Sequence, residues 1–158
     1  MAKILPIIKN PSPLLREKSE KIGLEKIKAN GLKELCADMI KTMKEKDGVG
    51  LAAPQVGKNI RLIAINTKDG PKIMINPKIM NKSWAKEWNE EGCLSVPGVY
   101  GKVRRNKKIN CVYLDKKGQK TKIQAEGLLA FVIQHETDHL DGILFIDKAK
   151  DIKKIKAI

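Results

Sequence analysis

The only two histidines in the chain stand four residues apart, in His135-Glu136-Thr137-Asp138-His139. In a helix that spacing puts both imidazoles on one face, one above the other, where they can grip a single metal ion. Glu136 projects about 100° round the helix from His135, so its carboxylate can reach water at the metal without being a ligand. The pattern suits metal-assisted hydrolysis, in which the metal acidifies water and a carboxylate carries its protons. The alternative is a pair of ordinary helix histidines beside an acid. Every histidine of the chain lies inside the pattern, which argues against it.

A third ligand must come from elsewhere. Beyond His139 there is no His or Glu, only Asp141, Asp147 and Asp151. Asp141 falls at the expected end of the helix, aimed elsewhere. Three cysteines remain. Cys36 sits in an apolar helical stripe and Cys111 in a strand, so both read as small buried hydrophobes. Cys93 lies in Glu90-Glu91-Gly92-Cys93-Leu94-Ser95-Val96-Pro97, flanked by glycine and a carboxylate pair. Cys93 is favoured as the ligand. An odd number of widely spaced cysteines, with no secretion signal at Met1-Ala2-Lys3-Ile4-Leu5-Pro6, argues against a disulfide framework and for a cytoplasmic protein.

The rest of the chain reads as one α+β domain over residues 1–158. Apolar residues recur at helical steps from Leu24 to Lys46, with a weak point at Asn30-Gly31, and Asp47-Gly48 ends the pattern. Ile60 to Ile65 and Lys72 to Ile75 read as strands, the second stopped by Asn76-Pro77, and Trp84 to Trp88 as a third. Ile109–Leu114 and 119–125, flanking Asp115-Lys116-Lys117-Gly118, predict a β-hairpin. Glu126 to Leu140 predicts the helix that carries the histidines. No apolar run approaches the roughly 20 residues needed to span a bilayer.

Three segments together resemble the signature motifs of the peptide deformylases: Gly48-Val49-Gly50-Leu51-Ala52-Ala53-Pro54-Gln55, Glu91-Gly92-Cys93-Leu94-Ser95 and Gln134-His135-Glu136-Thr137-Asp138-His139. The resemblance implies antiparallel β-sheets packed around a central metal-binding helix carrying H-E-x-x-H, with an N-terminal helix. It implies removal of the formyl group from the N-terminal formyl-methionine of new polypeptides, with release of formate. Cys93, His135 and His139 would hold one divalent ion, by family habit Fe2+, with Zn2+, Ni2+ or Co2+ able to replace it. Glu136 would act as general base and acid, and the Gln55 amide and the Leu94 backbone N–H would stabilise the oxyanion.

The resemblance further implies that Gly48 and Gly50 let the backbone approach a peptide lying as an added strand. Gly92 would belong to the same substrate-binding set. Val49, Leu94, Phe131 and Val132 are candidates for the methionine pocket; for Phe131 and Val132 core packing is the alternative. Tyr100 stands where many members carry an Arg that helps hold the peptide backbone.

Two rival readings are another H-E-x-x-H hydrolase, which lacks a suitable downstream ligand here, and a basic RNA-binding protein with a structural metal. The net charge of +14 raises the second. It is unevenly spread: residues 101–124 carry a net +8, the tail 147–158 a net +3, and 125–146 a net −4. The two basic stretches are candidate contacts with ribosomal RNA, beside formyl-methionyl nascent peptides as substrate partner; no membrane partner is expected. A solubilising lysine surface is the plainer reading.

Overall fold

The strands of the computed structural model, which describes residues 1–155, pair into two antiparallel sheets. The elements run α1 (Leu24–Ile27), α2 (Asn30–Glu45), β1 (Gly50–Ala52), β2 (Leu62–Thr67), β3 (Gly70–Lys82), β4 (Lys86–Cys93), β5 (Val96–Asn106), β6 (Lys108–Leu114), β7 (Lys120–Glu126), α3 (Leu128–Leu140) and β8 (Lys150–Lys154). One sheet has the order β1-β2-β3-β6-β7 and the other β4-β5-β8.

The unbroken apolar run of β2 explains the layering, because a strand buried on both faces has no polar alternates. Leu62 and Ala64 face one side with Ile73 and Ile75 of β3. There they meet Ile27, Cys36, Met39 and Met43 of α1 and α2. Ile63 and Ile65 face the other side with Met74, Ile109, Cys111 and Tyr113, and meet Ala130, Val132, Ile133 and Leu140 of α3. A third cluster packs Val96 and Val103 of β5 on Leu15, Leu144 and Phe145. Helix α3 therefore has the five-stranded sheet on one side and the three-stranded sheet on another. Gln134 ties it to β5: its Oε1 accepts from the Asn106 N–H at 3.1 Å and its Nε2 donates to the Asn106 carbonyl at 2.9 Å.

Several local expectations are corrected. The helical pattern from Leu24 breaks at Lys28-Ala29, where Ala29 is extended, and Asn30-Gly31 lie inside the first turn of α2. The strand at Lys72 does not stop at Asn76-Pro77. Asn76 takes φ 50, which asparagine tolerates, and the ladder shifts register between Ile75 and Lys78, so β3 continues to Lys82. The proline falls in that irregularity, where its missing N–H breaks no ladder bond. The Asn76 amide also clamps the backbone of Ile22, accepting from its N–H at 2.9 Å and donating to its carbonyl at 2.8 Å.

The basic stretch 101–124 is divided between the two sheets. Residues 101–106 belong to β5, and the hairpin is β6–β7. It turns where expected, with Asp115 Oδ1 accepting from the N–H groups of Lys117 and Gln119, each at 2.9 Å. The tail forms β8, a strand at the edge of the smaller sheet; residues 156–158 of the basic tail lie outside those described. No helix among the described residues is long and apolar enough to cross a membrane.

Replacing Asn76 removes both bonds to Ile22 and the residue suited to its backbone. Asn76→Ala is expected to destabilise by about 1–3 kcal/mol in urea unfolding. Asn76→Gly, which restores the conformation without the bonds, is expected to recover only part of the loss. Full recovery would place the whole effect in the backbone.

Candidate metal centre

Helix α3 starts at Gly127, whose φ of 63 lets the chain leave β7 sharply. Its 13 residues put His135 and His139 one turn apart, both turned toward the three-stranded sheet. Cys93 ends β4, just before the turn into β5. The donor atoms of Cys93, His135 and His139 all lie within 4.8 Å of one another. Cys93 Sγ is 3.3 Å from His139 Nε2. Helix and strand thus bring together the three residues that the motif and the cysteine comparison selected.

Each imidazole has its own setting. His135 Nδ1 lies 2.7 Å from Glu91 Oε1, which leaves Nε2 turned to the site. His139 is 1% exposed, and its Nδ1 is buried with no partner among the described residues. One thiol and two imidazoles in one cluster, with Cys93 and His135 at the wall of a cavity, fit a divalent first-row ion with an open coordination position.

Glu91 and Arg105 were not given roles from the sequence. The Arg105 guanidinium, 3% exposed, forks onto Glu91 at 2.8 Å and 2.9 Å and reaches Asp138 at 2.6 Å. Lys148 joins Asp138 from outside at 3.0 Å. Burial alone would raise the Glu91 carboxyl; the hydrogen bonds from Arg105 and His135 outweigh it and hold it at about 2. The carboxylate pair before Cys93 was the available signal for Glu91. Arg105 had none, since it sits among the many basic residues of 101–124.

Glu136 is buried, and its Oε2 has no partner among the described residues. Its Oε1 is 3.9 Å from His135 Nε2. Burial pushes its carboxyl up to about 7. The helix approaches β1 closely here: a Cβ on Gly50 would stand 2.7 Å from Glu136 Oε1 and 2.9 Å from Val132 Cγ1. Gly50 thus makes room for Glu136.

Gln55 is buried and fully engaged. Its Oε1 accepts from the Ala52 N–H at 2.9 Å, and its Nε2 donates to Ser95 Oγ at 3.0 Å and to Cys93 Sγ at 3.4 Å. The Leu94 backbone N–H makes no hydrogen bond among the described residues. These groups open onto a cavity of about 540 Å³ that also touches Val49, Gly50, Gly92, Tyr100, Phe131 and Val132. Val49 and Tyr100 are exposed at its rim, and the Tyr100 ring lies where a side chain on Gly92 would go. Phe131 is largely buried, and Val132 is shared between the cavity and the core.

The remaining candidates stay apart. Cys36 and Cys111 are buried, and burial pushes both thiols up to about 11. Asp141 pairs with Arg61 at 3.0 Å, and Asp147 with Arg16.

The sequence model of the polypeptide deformylase family matches residues 4–155. The chain belongs to the peptide deformylase family. A peptide deformylase of Dictyoglomus thermophilum is 49% identical over 146 residues, covering 92% of this chain and 93% of that one. The peptide deformylase of Thermotoga maritima superposes with a TM-score of 0.89 at 38% identity, over 93% of this chain and 98% of that one. A class I type b peptide deformylase of Acinetobacter baumannii, solved bound to Met-Ala-Ser, gives a TM-score of 0.90 at 34% identity, over 94% and 99%. The likeness to these deformylases takes in both sheets and α3.

Removing Arg105 would leave the buried Glu91 carboxylate without its guanidinium and Asp138 with Lys148 alone. Arg105→Ala is expected to cost about 3–5 kcal/mol, read as a lowered urea midpoint. A loss no larger than that of a surface pair, about 1 kcal/mol, would mean that the two carboxylates find other partners.

Proposed function

We propose that this chain removes the formyl group from the N-terminal formyl-methionine of newly made polypeptides and releases formate. Membership of the deformylase family supports the activity. The observation that carries the mechanism is the cluster of Cys93, His135 and His139 beside Glu136, whose Oε2 has no partner among the described residues, with Cys93, His135 and Glu136 lining a cavity. The relative solved with Met-Ala-Ser supports a formylated methionyl peptide as substrate. We read residues 1–158 as a single catalytic domain working in the cytoplasm.

Cys93, His135 and His139 would hold one divalent ion between the end of β4 and α3. Fe2+ is the ion the family resemblance favours, with Zn2+, Ni2+ and Co2+ as alternatives. When bound, such an ion acidifies water and polarises the formyl carbonyl. The rest is the work of the chain. Glu91 holds the His135 ring through Nδ1, which orients Nε2. Glu136 takes a proton from the attacking water and gives it to the departing amine, so that formate and a free amino group result. Its Oε2 is the atom free to do so.

The Leu94 N–H donates to the oxygen that becomes negative, and Gln55 Nε2 joins it with the N–H that otherwise reaches Cys93 Sγ at 3.4 Å. Ser95 and the Ala52 N–H fix the Gln55 amide in advance. Val49, Leu94, Phe131 and Val132 would receive the methionine side chain, with Gly50, Gly92 and Tyr100 along the peptide. Weak contact with ribosomal RNA through the basic segments 101–124 and 147–158 belongs to the same proposal.

Anaerobically purified protein, with its metal quantified, is expected to release formate from formyl-Met-Ala-Ser. Cleavage of an unformylated peptide without formate release would sink the proposal. Glu136→Gln is expected to keep metal and fold while turnover falls by at least about a hundredfold. Near-normal turnover in that variant would refute the role of Glu136. Cys93→Ala is expected to weaken metal binding by more than about a hundredfold, and Cys111→Ala hardly at all. Equal losses in a metal titration of the two variants would remove Cys93 from the ligand set.

A further inference from the structure

The outer face of the three-stranded sheet has a composition that folding does not explain. Its inner face packs on Leu15, Leu144 and Phe145. Register fixes what points outward: Trp88 stands opposite Arg104, Glu90 opposite Lys102, Lys102 opposite Lys150, and Tyr100 opposite Lys153. With Lys86 on the same side of β4, five exposed cations share the face with Glu90, and Asp151 lies at the irregularity of β8 between Lys150 and Lys153. None of the five is in an ion pair among the described residues. Like charges placed directly opposite each other in a sheet destabilise it, as Lys102 and Lys150 must here.

A tryptophan lies in the middle of these cations. Trp88 is 45% exposed, so much of its ring is open to a ligand, although Lys150 Nζ sits 5.0 Å from its centroid. The other tryptophan, Trp84, is fully exposed just before β4. Trp88, Arg104 and Lys150 are not among the residues that line the cavity of the metal centre. An open aromatic ring within a basic sheet face is the arrangement that takes unpaired bases by stacking and phosphates by charge.

We propose that the outer face of the β4–β5–β8 sheet binds a single-stranded RNA segment. A base stacks on Trp88, and Lys86, Lys102, Arg104, Lys150 and Lys153 neutralise the phosphates beside it. The charge and the open ring carry the site; only the choice of RNA over DNA rests on the proposed action on newly made chains. The binding needs neither metal nor turnover.

The test is fluorescence anisotropy of a labelled oligouridine of about ten nucleotides with the full chain, at low and raised salt. Saturable binding that weakens as salt rises is expected. Trp88→Ala leaves the net charge unchanged and is expected to weaken binding about tenfold, with Trp88→Phe retaining most of it. Arg104→Glu is expected to cost severalfold more than Lys122→Glu, an equal charge change on β7. In a Trp84→Phe protein, RNA is expected to quench the emission of Trp88, which reads the site without disturbing it. Glu136→Gln, inactive on the proposed mechanism, is expected to bind RNA as the parent does, so this proposal and the enzymatic one can fail separately. The assignment is overturned by unchanged affinity in Trp88→Ala or by equal losses in Arg104→Glu and Lys122→Glu. It is equally overturned by unquenched Trp88 emission with RNA bound, by loss of binding in Glu136→Gln, or by duplex RNA, an acidic peptide or anionic vesicles competing as well as oligouridine.

Discussion

A guanidinium buried between the smaller sheet and α3 sets the geometry of the centre. Arg105 on β5 grips both oxygens of Glu91 on β4 and one oxygen of Asp138 on α3. Taking these charges out of water costs several kcal/mol for each ion, so the cluster is no simple source of stability. What it supplies is position. Glu91 lies two residues before Cys93, and Asp138 lies between His135 and His139. The planar fork of one arginine therefore fixes the strand that carries the sulfur relative to the helix that carries the imidazoles. Glu91 also holds His135 by Nδ1, so the same carboxylate orients the ring.

Space at the centre is set as tightly as charge. Glu136 can lie against β1 only because residue 50 has no side chain, and Val132 presses on the same spot. The glycine that the resemblance assigns to peptide approach thus has a second duty on the opposite side of its backbone. It keeps a carboxylate in a dry position, where burial holds its proton affinity high. The Gln55 amide has a comparable history in the sequence: a lone polar side chain among Ala53, Pro54 and Val56 demanded partners, and it has three.

The legible parts of the sequence were those where one local rule decides. Histidines four apart, an Asp115-to-Gly118 turn and a cysteine set off by glycine each carry their own geometry; the turn forms there, and the donor atoms of Cys93, His135 and His139 lie together. The β5 strand was not legible. Its inward residues Gly101, Val103 and Arg105 include a glycine and a charged arginine, so the alternation that marks a half-buried strand is hidden. Continuation of β3 through Asn76-Pro77 was hidden for another reason. It depends on a clamp to Ile22, 54 residues away in sequence, and no window of neighbours contains it. Arg105 was invisible in the same way, because its meaning lies in its contacts with Glu91 and Asp138.

Electrostatically the molecule has two layers, and they answer different questions. In the interior, Arg105 is balanced by Glu91 and Asp138, and the segment 125–146 is acidic. The surplus of basic residues lies outside, half of it before residue 101 and much of the rest on the outer face of the smaller sheet and the β6–β7 hairpin. Exposed charges are screened over about 8 Å at physiological salt, so the field at the centre is set by groups in contact with it and hardly by the net +14. Composition therefore speaks to what the surface meets, and the chemistry follows from a few buried contacts. A basic chain can in this way enclose an acidic centre that attracts a cation, because compensation inside is local and the outer charge does not reach it.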